Sequence, residues 1–516
     1  MSRGQKRFVR LAGELAMAGT AWAADIVWDG DTDTVFSNNA NWVGGTAPAD
    51  SLATDKAVFP ASFTPYQPSL TDDRSINGLI FQKTDGGWTL GGTGKLLRLG
   101  NGGITDTANV GGTNTILPDV TIGYTGTGNG SFSVGNGGTL RFSGRAIVWG
   151  GNRTLSINGG TVIFGALDAD STNRTFTKSG TGTLVLERAA GDNLRGTFTL
   201  SDGSLIVRHP NALGTGLFNF DAGLFKSETN LAGSNAFAQS VDFGETTSAG
   251  CTFEGQHSIE FNGQGRVNSS STASRRTIAN NLPSNHWLIF SGPLFSLAER
   301  RTAGQTRTIT ISGTGNTRII ASIVDYISSG GIGALTMAST GVLTLGGSNT
   351  YTGGTFINGG TLLLNGTHVG SVGAYAVSNT ATLGGTGTTV AAVIVNSGGT
   401  VAPGNNGIGT LRVGPTSFSA GSKLSWERGK TTSDLLEVTG NLTIVSPFTL
   451  VITELGRGPT TADIITYTGT FTGNPSEWTI QAPPGYEGVT VTNTGSAIRL
   501  LGLPEPKAAG TVISLR

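Results

Sequence analysis

The residues with the clearest chemical potential are carboxylates scattered through the middle of the chain. Glycoside hydrolysis needs two carboxyl groups that converge to within about 5 to 10 Å. These residues include no adjacent Asp pair, so only a fold that stacks successive segments could bring two of them together. The candidates are Asp168, Asp170, Asp192, Asp202, Asp221, Asp242, Glu254 and Glu260.

Histidine and cysteine, the other common catalytic and zinc-binding residues, are sparse. His209, His257, His286 and His368 lie far apart, and no pair has the sequence spacing of a zinc site. We expect each of them to be solvated or hydrogen-bonded. Cys251 is the single cysteine, which makes an intramolecular disulfide impossible. Because no paired-histidine motif accompanies it, we predict a buried, unreactive thiol rather than a catalytic one.

Three alternating carboxylates near the N-terminus, Asp29, Asp31 and Asp33, resemble the start of a calcium-binding loop. An EF-hand requires Gly at its sixth position and Glu at its twelfth, where this chain has Thr34 and Ala40. An EF-hand is therefore excluded, and an irregular calcium site stays open as an alternative. The glycine- and aspartate-rich repeat that lines calcium-binding β-rolls is absent from the sequence.

Two basic pairs, Arg275-Arg276 and Arg300-Arg301, could bind a sulfated or uronic polysaccharide through paired guanidinium groups. The more common role of such pairs is as solvated loop residues. The many Gly-x-Gly phrases lack the third glycine of a dinucleotide-binding loop, and no Gly-x-Ser-x-Gly nucleophile elbow occurs. The sequence therefore predicts no catalytic, cofactor-binding or metal-binding residue, and no cofactor.

Composition defines the elements that would position any such site. Of 516 residues, 82 are glycine and only 13% are charged, which disfavours long helices. The 33 basic residues balance the 33 acidic ones, so nucleic acid and anionic membranes are not predicted partners. These properties favour an elongated all-β protein built from a repeated unit.

The N-terminus predicts export. Lys6, Arg7 and Arg10 precede an apolar stretch at residues 11–24, and Ala21-Trp22-Ala23 has the small-residue spacing that a signal peptidase requires. We assign residues 1–24 to a signal peptide, with an ordinary cytoplasmic start as the alternative. The rest of the sequence contains no run of about 20 apolar residues, so no transmembrane segment is predicted in the mature chain.

A short phrase, Asn-Gly-Gly-Thr or Ser-Gly-Gly-Thr, recurs along the chain and is followed each time by alternating apolar residues. Asn and Gly tolerate positive φ, so the phrase predicts a tight turn that leads into a strand with one face inward. The spacings between its copies are near multiples of about 20 to 22 residues, which indicates a coil of parallel strands stacked at about 4.8 Å. A series of antiparallel sandwiches is the alternative. The copies begin at Asn136, Asn158, Asn358 and Ser397.

The most specific phrases point to a family. Residues 179–186 and 340–364 resemble the autotransporter-associated β-strand repeat, and residues 382–387 and 401–411 resemble its continuation in large exported bacterial proteins. Trp28-Asp29-Gly30 with Asn41-Trp42 is similar to the opening of such proteins. The resemblance implies a right-handed parallel β-helix, or β-solenoid, and brings no catalytic residues.

The chain is predicted to divide into five parts. After the signal peptide (1–24) come an N-terminal β-cap (25–95), a β-solenoid of about 15 to 18 turns (96–418), a C-terminal β-cap (419–502) and a tail (503–516). Leu503-Pro504-Glu505-Pro506 resembles the Pro-Glu-Pro sorting signature, although a chance match is an alternative. The signature's usual apolar span and basic cluster do not follow it, so we expect release or loose surface association.

The predicted function is that of an exported, non-enzymatic structural or adhesive β-solenoid, secreted or at the cell surface, in association with the outer membrane or outside the cell. One alternative is a polysaccharide-binding solenoid, whose partner would be a cell-surface or extracellular polysaccharide. A less favoured alternative is a polysaccharide-degrading enzyme similar to pectate lyase, because parallel β-helices host such activities.

Overall fold

The computed structural model describes residues 24–505 except 110, 124–128, 172, 192, 245–249, 269–274, 300–303, 326–329 and 371–372. For residues 268, 275 and 299 it describes the backbone and not the side chain. Nearly all of the predicted signal peptide lies outside the described residues. The same holds for Pro506 and the remainder of the predicted tail.

Regular structure in the described residues is almost entirely β-strand. The first half contains β1 Ala24–Val27, β2 Ser51–Phe59, β3 Arg74–Phe81, β4 Gly86–Leu90, β5 Leu96–Asp106, β6 Thr113–Ile116, β7 Asp119–Ile122, β8 Gly130–Val134, β9 Thr139–Val148, β10 Arg153–Asn158, β11 Thr161–Ala169, β12 Phe176–Ser179, β13 Thr183–Leu186, β14 Phe198–Leu200, β15 Ser204–Val207, β16 Phe218–Phe220, β17 Gly223–Ser227, β18 Val241–Phe243, β19 Cys251–Gly255, β20 Ile259–Phe261, β21 Gly265–Asn268, β22 Arg275–Asn280, β23 Trp287–Phe290, β24 Leu294–Glu299 and β25 Thr306–Gly313.

The second half has shorter strands, and three short 3₁₀ helices lie at Asn39–Asn41, Gly233–Asn235 and Pro475–Glu477. Its strands are β26 Asn316–Ile319, β27 Ser322–Val324, β28 Ile332–Ser339, β29 Val342–Leu345, β30 Ser348–Asn349, β31 Thr355–Ile357, β32 Thr361–Leu364, β33 Thr367–His368, β34 Tyr375–Val377, β35 Thr382–Gly385, β36 Thr388–Thr389, β37 Val393–Val395, β38 Thr400–Pro403, β39 Thr410–Val413, β40 Thr416–Phe418, β41 Lys423–Arg428, β42 Leu435–Val438, β43 Leu442–Ile444, β44 Thr449–Glu454, β45 Ala462–Tyr467, β46 Phe471–Thr472, β47 Thr479–Gln481, β48 Thr490–Asn493 and β49 Ala497–Leu501.

The strands stack in parallel as a β-solenoid of about 16 turns, which corresponds to a length of about 75 Å at 4.8 Å per turn. The fold class predicted from the sequence is confirmed. From β30 onward each turn contributes to three sheets, of 31, 10 and 8 strands; β29, β30 and β31, for example, lie in three different sheets. At the C-terminal end, β49 pairs antiparallel with β45 and β48.

Parallel pairing continues across two of the predicted domain boundaries. β3 pairs with β5 on either side of residue 95, and β38 pairs with β41 on either side of residue 418. The division of the chain into caps and solenoid stays a prediction.

The recurring phrase occupies the same position in successive turns. Thr139, which ends the phrase in its first copy, pairs with Thr161, and Thr161 pairs in turn with Thr183. Thr183 then pairs with Ser204 in the next turn. The turn-then-strand unit is therefore one corner of the coil, which confirms the interpretation of the repeat.

Gly360 shows why this corner needs glycine. Its φ is +57°, in the left-handed region that disfavours any residue with a Cβ. A Cβ built there would collide with the Gly341 carbonyl oxygen and lie 2.7 Å from the Ser339 carbonyl oxygen, both in the preceding turn. Its neighbour Gly359 is outside the left-handed region, and a Cβ there would lie 3.2 Å from the Ser339 carbonyl oxygen.

The interior is a continuous apolar column, with stacked aromatic side chains in its middle part. Ring centroids of neighbouring phenylalanines lie 5.0 to 6.4 Å apart in this stretch. The single cysteine is part of the column: Cys251 is 4% exposed, its thiol lies 3.1 Å from the Phe220 carbonyl oxygen, and burial raises its pKa far above the usual range. The predicted burial of this cysteine is confirmed. The aromatic residues are Phe218, Phe220, Phe225, Phe243, Phe253, Phe261, Phe290 and Phe295.

Among the described residues, the structure contains no helix with the length and apolar character needed to cross a bilayer.

Candidate functional site

The fold spreads the candidate carboxylates over many turns, and several have cationic partners. Asp168 lies 3.2 Å from Arg145, and Asp170 lies 2.6 Å from Arg174. Within the described part of the chain, no three His, Cys, Asp or Glu side chains are grouped so that they could hold a metal ion. Three of the other candidates also have partners: Asp242 pairs with Arg266, Asp202 accepts a hydrogen bond from the Gly203 N–H, and Glu260 accepts hydrogen bonds from the Ser291 hydroxyl and the Gly233 N–H. Asp221 also has an interaction partner, and Glu254 lies on β19. Asp192 is outside the described residues.

The acidic N-terminal segment organises a turn. The Asp33 carboxylate accepts hydrogen bonds from the Val35 N–H at 2.7 Å, from the Asn38 side chain at 2.9 Å and from the Asn41 side chain at 2.6 Å. These bonds, chiefly the one from Asn41, lower the pKa of Asp33. Asp31 accepts a hydrogen bond from the Thr32 hydroxyl at 3.1 Å.

The basic pairs fall partly outside the described residues. Arg276 lies on β22 and is only 7% exposed, so the expectation of a solvated loop residue is wrong for this side chain. Its place in a strand, where alternate side chains turn inward, is the physical reason for its burial. Arg300, Arg301 and the side chain of Arg275 lie outside the described residues.

Two histidines that are distant in sequence meet on neighbouring turns. The rings of His257 and His286 have centroids 6.1 Å apart. Two imidazoles are fewer than the three or four protein ligands of a zinc site. His209 accepts a hydrogen bond from the Asn211 N–H at 3.1 Å through Nδ1, which places it in a turn.

His368 belongs to a buried polar network inside the coil. Its Nε2 lies 2.8 Å from the Tyr351 carbonyl oxygen, and its Nδ1 lies 2.8 Å from the Tyr375 hydroxyl. A carbonyl oxygen can only accept, so Nε2 donates to it, and Nδ1 of the neutral ring accepts a hydrogen bond from the Tyr375 hydroxyl. Burial lowers the pKa of His368 from its ordinary value of 6.5, because the charged ring would lose its hydration.

We predict that His368 makes the solenoid less stable in mild acid. Its folded-state pKa is lowered, so the unfolded chain binds the proton more tightly, and stability is lost as the pH falls below about 6.5. The melting temperature of the parent should therefore drop more between pH 7 and pH 5 than that of His368→Gln, which cannot titrate. The comparison cancels groups common to both proteins, including Asp434, whose raised pKa acts in the opposite direction. Equal drops in the two proteins would contradict the prediction.

The candidate functional site is a cleft on the outer face of the ten-stranded sheet, hereafter the outer-face cleft. Its floor crosses four neighbouring strands, β23, β26, β29 and β32. Their alternating residues point outward, and Arg318, Thr344 and Leu363 occupy the same position in successive turns. The cleft has a volume of about 440 Å³ and is lined by Trp287, Asn316, Arg318, Val342, Thr344, Leu363, Asn365, Asn405 and Asn406.

A loop after β38, residues 404–409, forms one wall of the cleft. Gly404 and Gly385 exchange two backbone hydrogen bonds, of 2.7 and 2.9 Å. At the other end of the loop, the Gly409 N–H donates to the buried Asp434 carboxylate at 2.8 Å. Asn406 has φ of +57°, an unusual conformation for a residue with a side chain. The wall is thus fixed at both ends and exposes two adjacent amides, Asn405 and Asn406.

The charge of the outer-face cleft comes from Arg318. Its guanidinium group lies over the Trp287 ring, 4.5 Å from the centroid. None of the residues that line the cleft is acidic, and within the described part of the chain Arg318 has no carboxylate within ion-pair distance. The cleft is therefore positively charged and has a flat aromatic and guanidinium surface beside amide side chains.

Comparison with known proteins identifies the repeat. The family described as Passenger-associated-transport-repeat matches residues 176–207 and 335–364. These two segments are therefore similar to the passenger-associated-transport-repeat. The first copy contains β12 to β15, and the second runs from within β28 to the end of β32. The predicted resemblance to autotransporter-associated β-strand repeats is confirmed, whereas that of the tail to a Pro-Glu-Pro signature stays a prediction.

Two curated proteins are similar to parts of this repeat-bearing chain. An adhesin, BmaC autotransporter of Brucella suis biovar 1 (strain 1330), is 36% identical over 116 residues, which are 21% of this chain and 3% of the adhesin. An extracellular serine protease of Serratia marcescens is 45% identical over 83 residues, which are 16% of this chain and 8% of the protease. The matched region thus spans only a small part of each relative.

The second passenger-associated-transport-repeat contributes directly to the outer-face cleft. Val342, Thr344 and Leu363 of its floor lie within residues 335–364, and Asn365 follows immediately. Two other clefts lie on the described part of the solenoid. One, of about 320 Å³, is lined by Thr308, Thr310, Thr336, Phe356 and Asn358; the other, of about 490 Å³, is lined by Arg195 with mostly small residues of two loops.

Sequence reasoning did not single out the cleft residues. Trp287, Arg318 and Asn405 are separated by 31 and 87 positions, so no local motif links them. The sequence offers one weak indication of the cleft: on β23 and β26, polar or aromatic residues occupy the outward positions between buried ones. Sequence reasoning also missed Lys178, whose Nζ donates to the carbonyl oxygens of Gly180 and Asp202 inside the coil and whose pKa is lowered by burial to about 8.

Proposed function

We propose that this protein is an exported, non-enzymatic β-solenoid that acts at or beyond the cell surface as a structural and adhesive body. The observation that carries the proposal is that both matched repeats form turns of one continuous parallel stack. The names of the two relatives, an autotransporter adhesin and an extracellular protease, are consistent with work outside the cytoplasm.

The architecture is suited to folding after export. Each turn packs only on its nearest neighbours, so folding can proceed turn by turn from one end, without an external energy source. Stability then comes from stacked hydrogen bonds and the apolar column, because a chain with a single cysteine forms no intramolecular disulfide. Folding without an external energy source suits a compartment that lacks ATP.

Several observations favour a role without catalysis. Asp168, Asp170 and Asp242 are engaged by arginines. His368 uses both ring nitrogens for hydrogen bonds within the core. These groups therefore have structural partners in place of the free acid and base that hydrolysis requires.

Location provides the first test of the proposal. When the full chain is expressed in a Gram-negative bacterium, antibodies against the purified protein should detect it on intact cells or in the medium. Added protease should remove the signal from intact cells and leave a cytoplasmic control protein uncut. Retention of the chain in the cytoplasm would overturn the proposed function.

Turnover provides the second test. The purified protein should release no unsaturated or reducing ends from pectin, alginate or other common polysaccharides. The reason is that the named carboxylates are spread over many turns and several are neutralised by arginine. Release of such ends that is abolished by a single Asp→Asn change would refute the non-enzymatic role.

A further inference from the structure

We propose that the outer-face cleft binds an acidic oligosaccharide, with a sugar carboxylate paired to Arg318. The inference rests on the proposed adhesive function and deepens it, because it names the ligand class and the residues that bind it. Four features of the cleft support it: an unpaired cation, amide and hydroxyl groups with free bonding capacity, an apolar floor and a fixed wall.

The cation is the group that selects an acidic ligand. Arg318 is half-buried and its Cζ lies over the Trp287 ring, 4.5 Å from the centroid. A guanidinium group offers two parallel N–H donors that match a carboxylate. Because stacking orients the plane before the ligand arrives, less conformational entropy is lost on binding.

The amides supply contacts for sugar hydroxyls. Asn365 accepts a hydrogen bond from the Thr386 N–H through Oδ1 at 3.2 Å, which leaves its Nδ2 available to a ligand. Asn405 and Asn406 are exposed on the wall of the cleft. An amide both donates and accepts hydrogen bonds, as a sugar hydroxyl does, so the two groups are complementary.

The floor suits the apolar faces of sugar rings. Val342 and Leu363 lie on the neighbouring strands β29 and β32 and provide aliphatic surface, while Trp287 provides aromatic surface on β23, at the other side of the floor. Four adjacent strands at about 4.8 Å make the floor about 14 Å long, which accommodates a short oligosaccharide rather than a single ion. The volume of about 440 Å³ lies within the range of ligand sites in proteins.

The wall is rigid. The loop at residues 404–409 is held by the paired backbone bonds to Gly385 and by the bond from the Gly409 N–H to Asp434. The left-handed conformation of Asn406 places strained backbone next to the cleft, a feature that clusters at binding sites. The geometry thus points to a preformed site.

The cleft fits an acidic glycan better than a nucleic acid. A nucleic acid carries a phosphate at every nucleotide and is bound by proteins with several basic residues in a row. The outer-face cleft has one cation and the whole chain has no net charge. A polymer with hydroxyls on every unit and a carboxylate that one arginine can pair matches this composition.

The test is isothermal titration calorimetry of the purified chain with hexagalacturonate and with its fully methyl-esterified, uncharged form. Arg318→Gln should weaken hexagalacturonate binding by about tenfold, the effect of losing one charge-assisted hydrogen-bonded contact. The same change should leave binding of the esterified form nearly unaltered. A double variant, Asn405→Ala with Asn406→Gly, should weaken both ligands, because glycine keeps the left-handed backbone while both amides are lost.

The matched control is Arg412→Gln. Arg412 lies on β39 of the eight-stranded sheet, where it pairs with Glu437 at 2.8 Å, and it does not line the cleft. This variant should bind like the parent. Equal binding by Arg318→Gln and Arg412→Gln would overturn the proposal, as would no binding by the parent or tighter binding of a single-stranded DNA oligomer. Unchanged circular dichroism and melting temperature in each variant exclude misfolding as the cause.

The outcomes separate this inference from the function on which it rests. If the chain reaches the cell surface but does not bind hexagalacturonate, the ligand assignment is wrong and the surface role stands. If the chain stays in the cytoplasm, the proposed function fails whatever the calorimetry shows.

Discussion

Replacing Gly360 by alanine is expected to destabilise the solenoid by about 3 kcal/mol. A left-handed conformation costs a residue with a Cβ about 1 to 2 kcal/mol, and forcing an atom into a packed region adds about 1 to 3 kcal/mol. Both terms apply, because φ is +57° and the added Cβ would meet the carbonyl oxygens of Gly341 and Ser339 in the turn below. Chemical denaturation of parent and variant would measure the loss.

The neighbouring Gly359 provides the matched control. Its backbone is outside the left-handed region, and its Cβ would make one tight contact, at 3.2 Å from the Ser339 carbonyl oxygen. Gly359→Ala should therefore cost less than about 1 kcal/mol. In a stack of turns the damage is local, so Gly360→Ala should create protease-sensitive sites within about residues 345–400 while earlier turns stay protected. Equal stability of the two variants would show that the corner does not depend on its glycine conformation.

Arg428→Met is expected to release the C-terminal end of the chain. Arg428 is 1% exposed, and its Nη2 donates to the carbonyl oxygens of Gly458, Pro459 and Pro504 at 2.7 to 2.9 Å. Its Nη1 lies 3.2 Å from the Tyr486 hydroxyl. Methionine fills much of the same space but supplies no donor, so buried carbonyl groups would lose their partners at a cost on the order of 3 kcal/mol.

Hydrogen exchange by mass spectrometry would localise this effect. Amides at residues 456–505 should exchange faster in Arg428→Met, whereas those of the central turns should not change. Arg457→Met is the control: this side chain is more exposed and pairs with Glu454 at 3.1 Å, rather than with the carbonyl groups that Arg428 holds. Faster exchange throughout the chain, or none at the C-terminal end, would contradict the proposed role of Arg428.

The C-terminal end that Arg428 holds includes the start of the predicted tail, because Pro504 is one of its hydrogen-bond acceptors. Leu503 is 2% exposed and its N–H donates to the Thr460 carbonyl oxygen, so the first residues of the tail pack on the last turns. The sequence predicted a separate tail from residue 503, on the basis of the Pro-Glu-Pro phrase. The structure places Leu503 and Pro504 against the solenoid and leaves the sorting role of the phrase a prediction.

The local repeat unit of the solenoid can be predicted from the amino-acid sequence alone. The phrase that ends in Thr139, Thr161 and Thr361 specifies a turn through its glycines and a strand through its alternating apolar residues. Both signals act over a few residues, since φ preferences and side-chain alternation are local properties. The repeated spacing then required neighbouring units to bury their faces on one another, which made a parallel stack the favoured fold.

Contacts between residues that are distant in sequence could not be predicted in this way and are seen only in the folded structure. The path from one turn to the next takes 22 residues from Thr161 to Thr183 and 18 from Thr382 to Thr400. It takes 29 from Trp287 to Asn316. Because loops of different length leave the core pattern intact, sequence spacing does not give the register between turns. The outer-face cleft, the His368 network and the Arg428 contacts all depend on that register, since each joins residues from different turns.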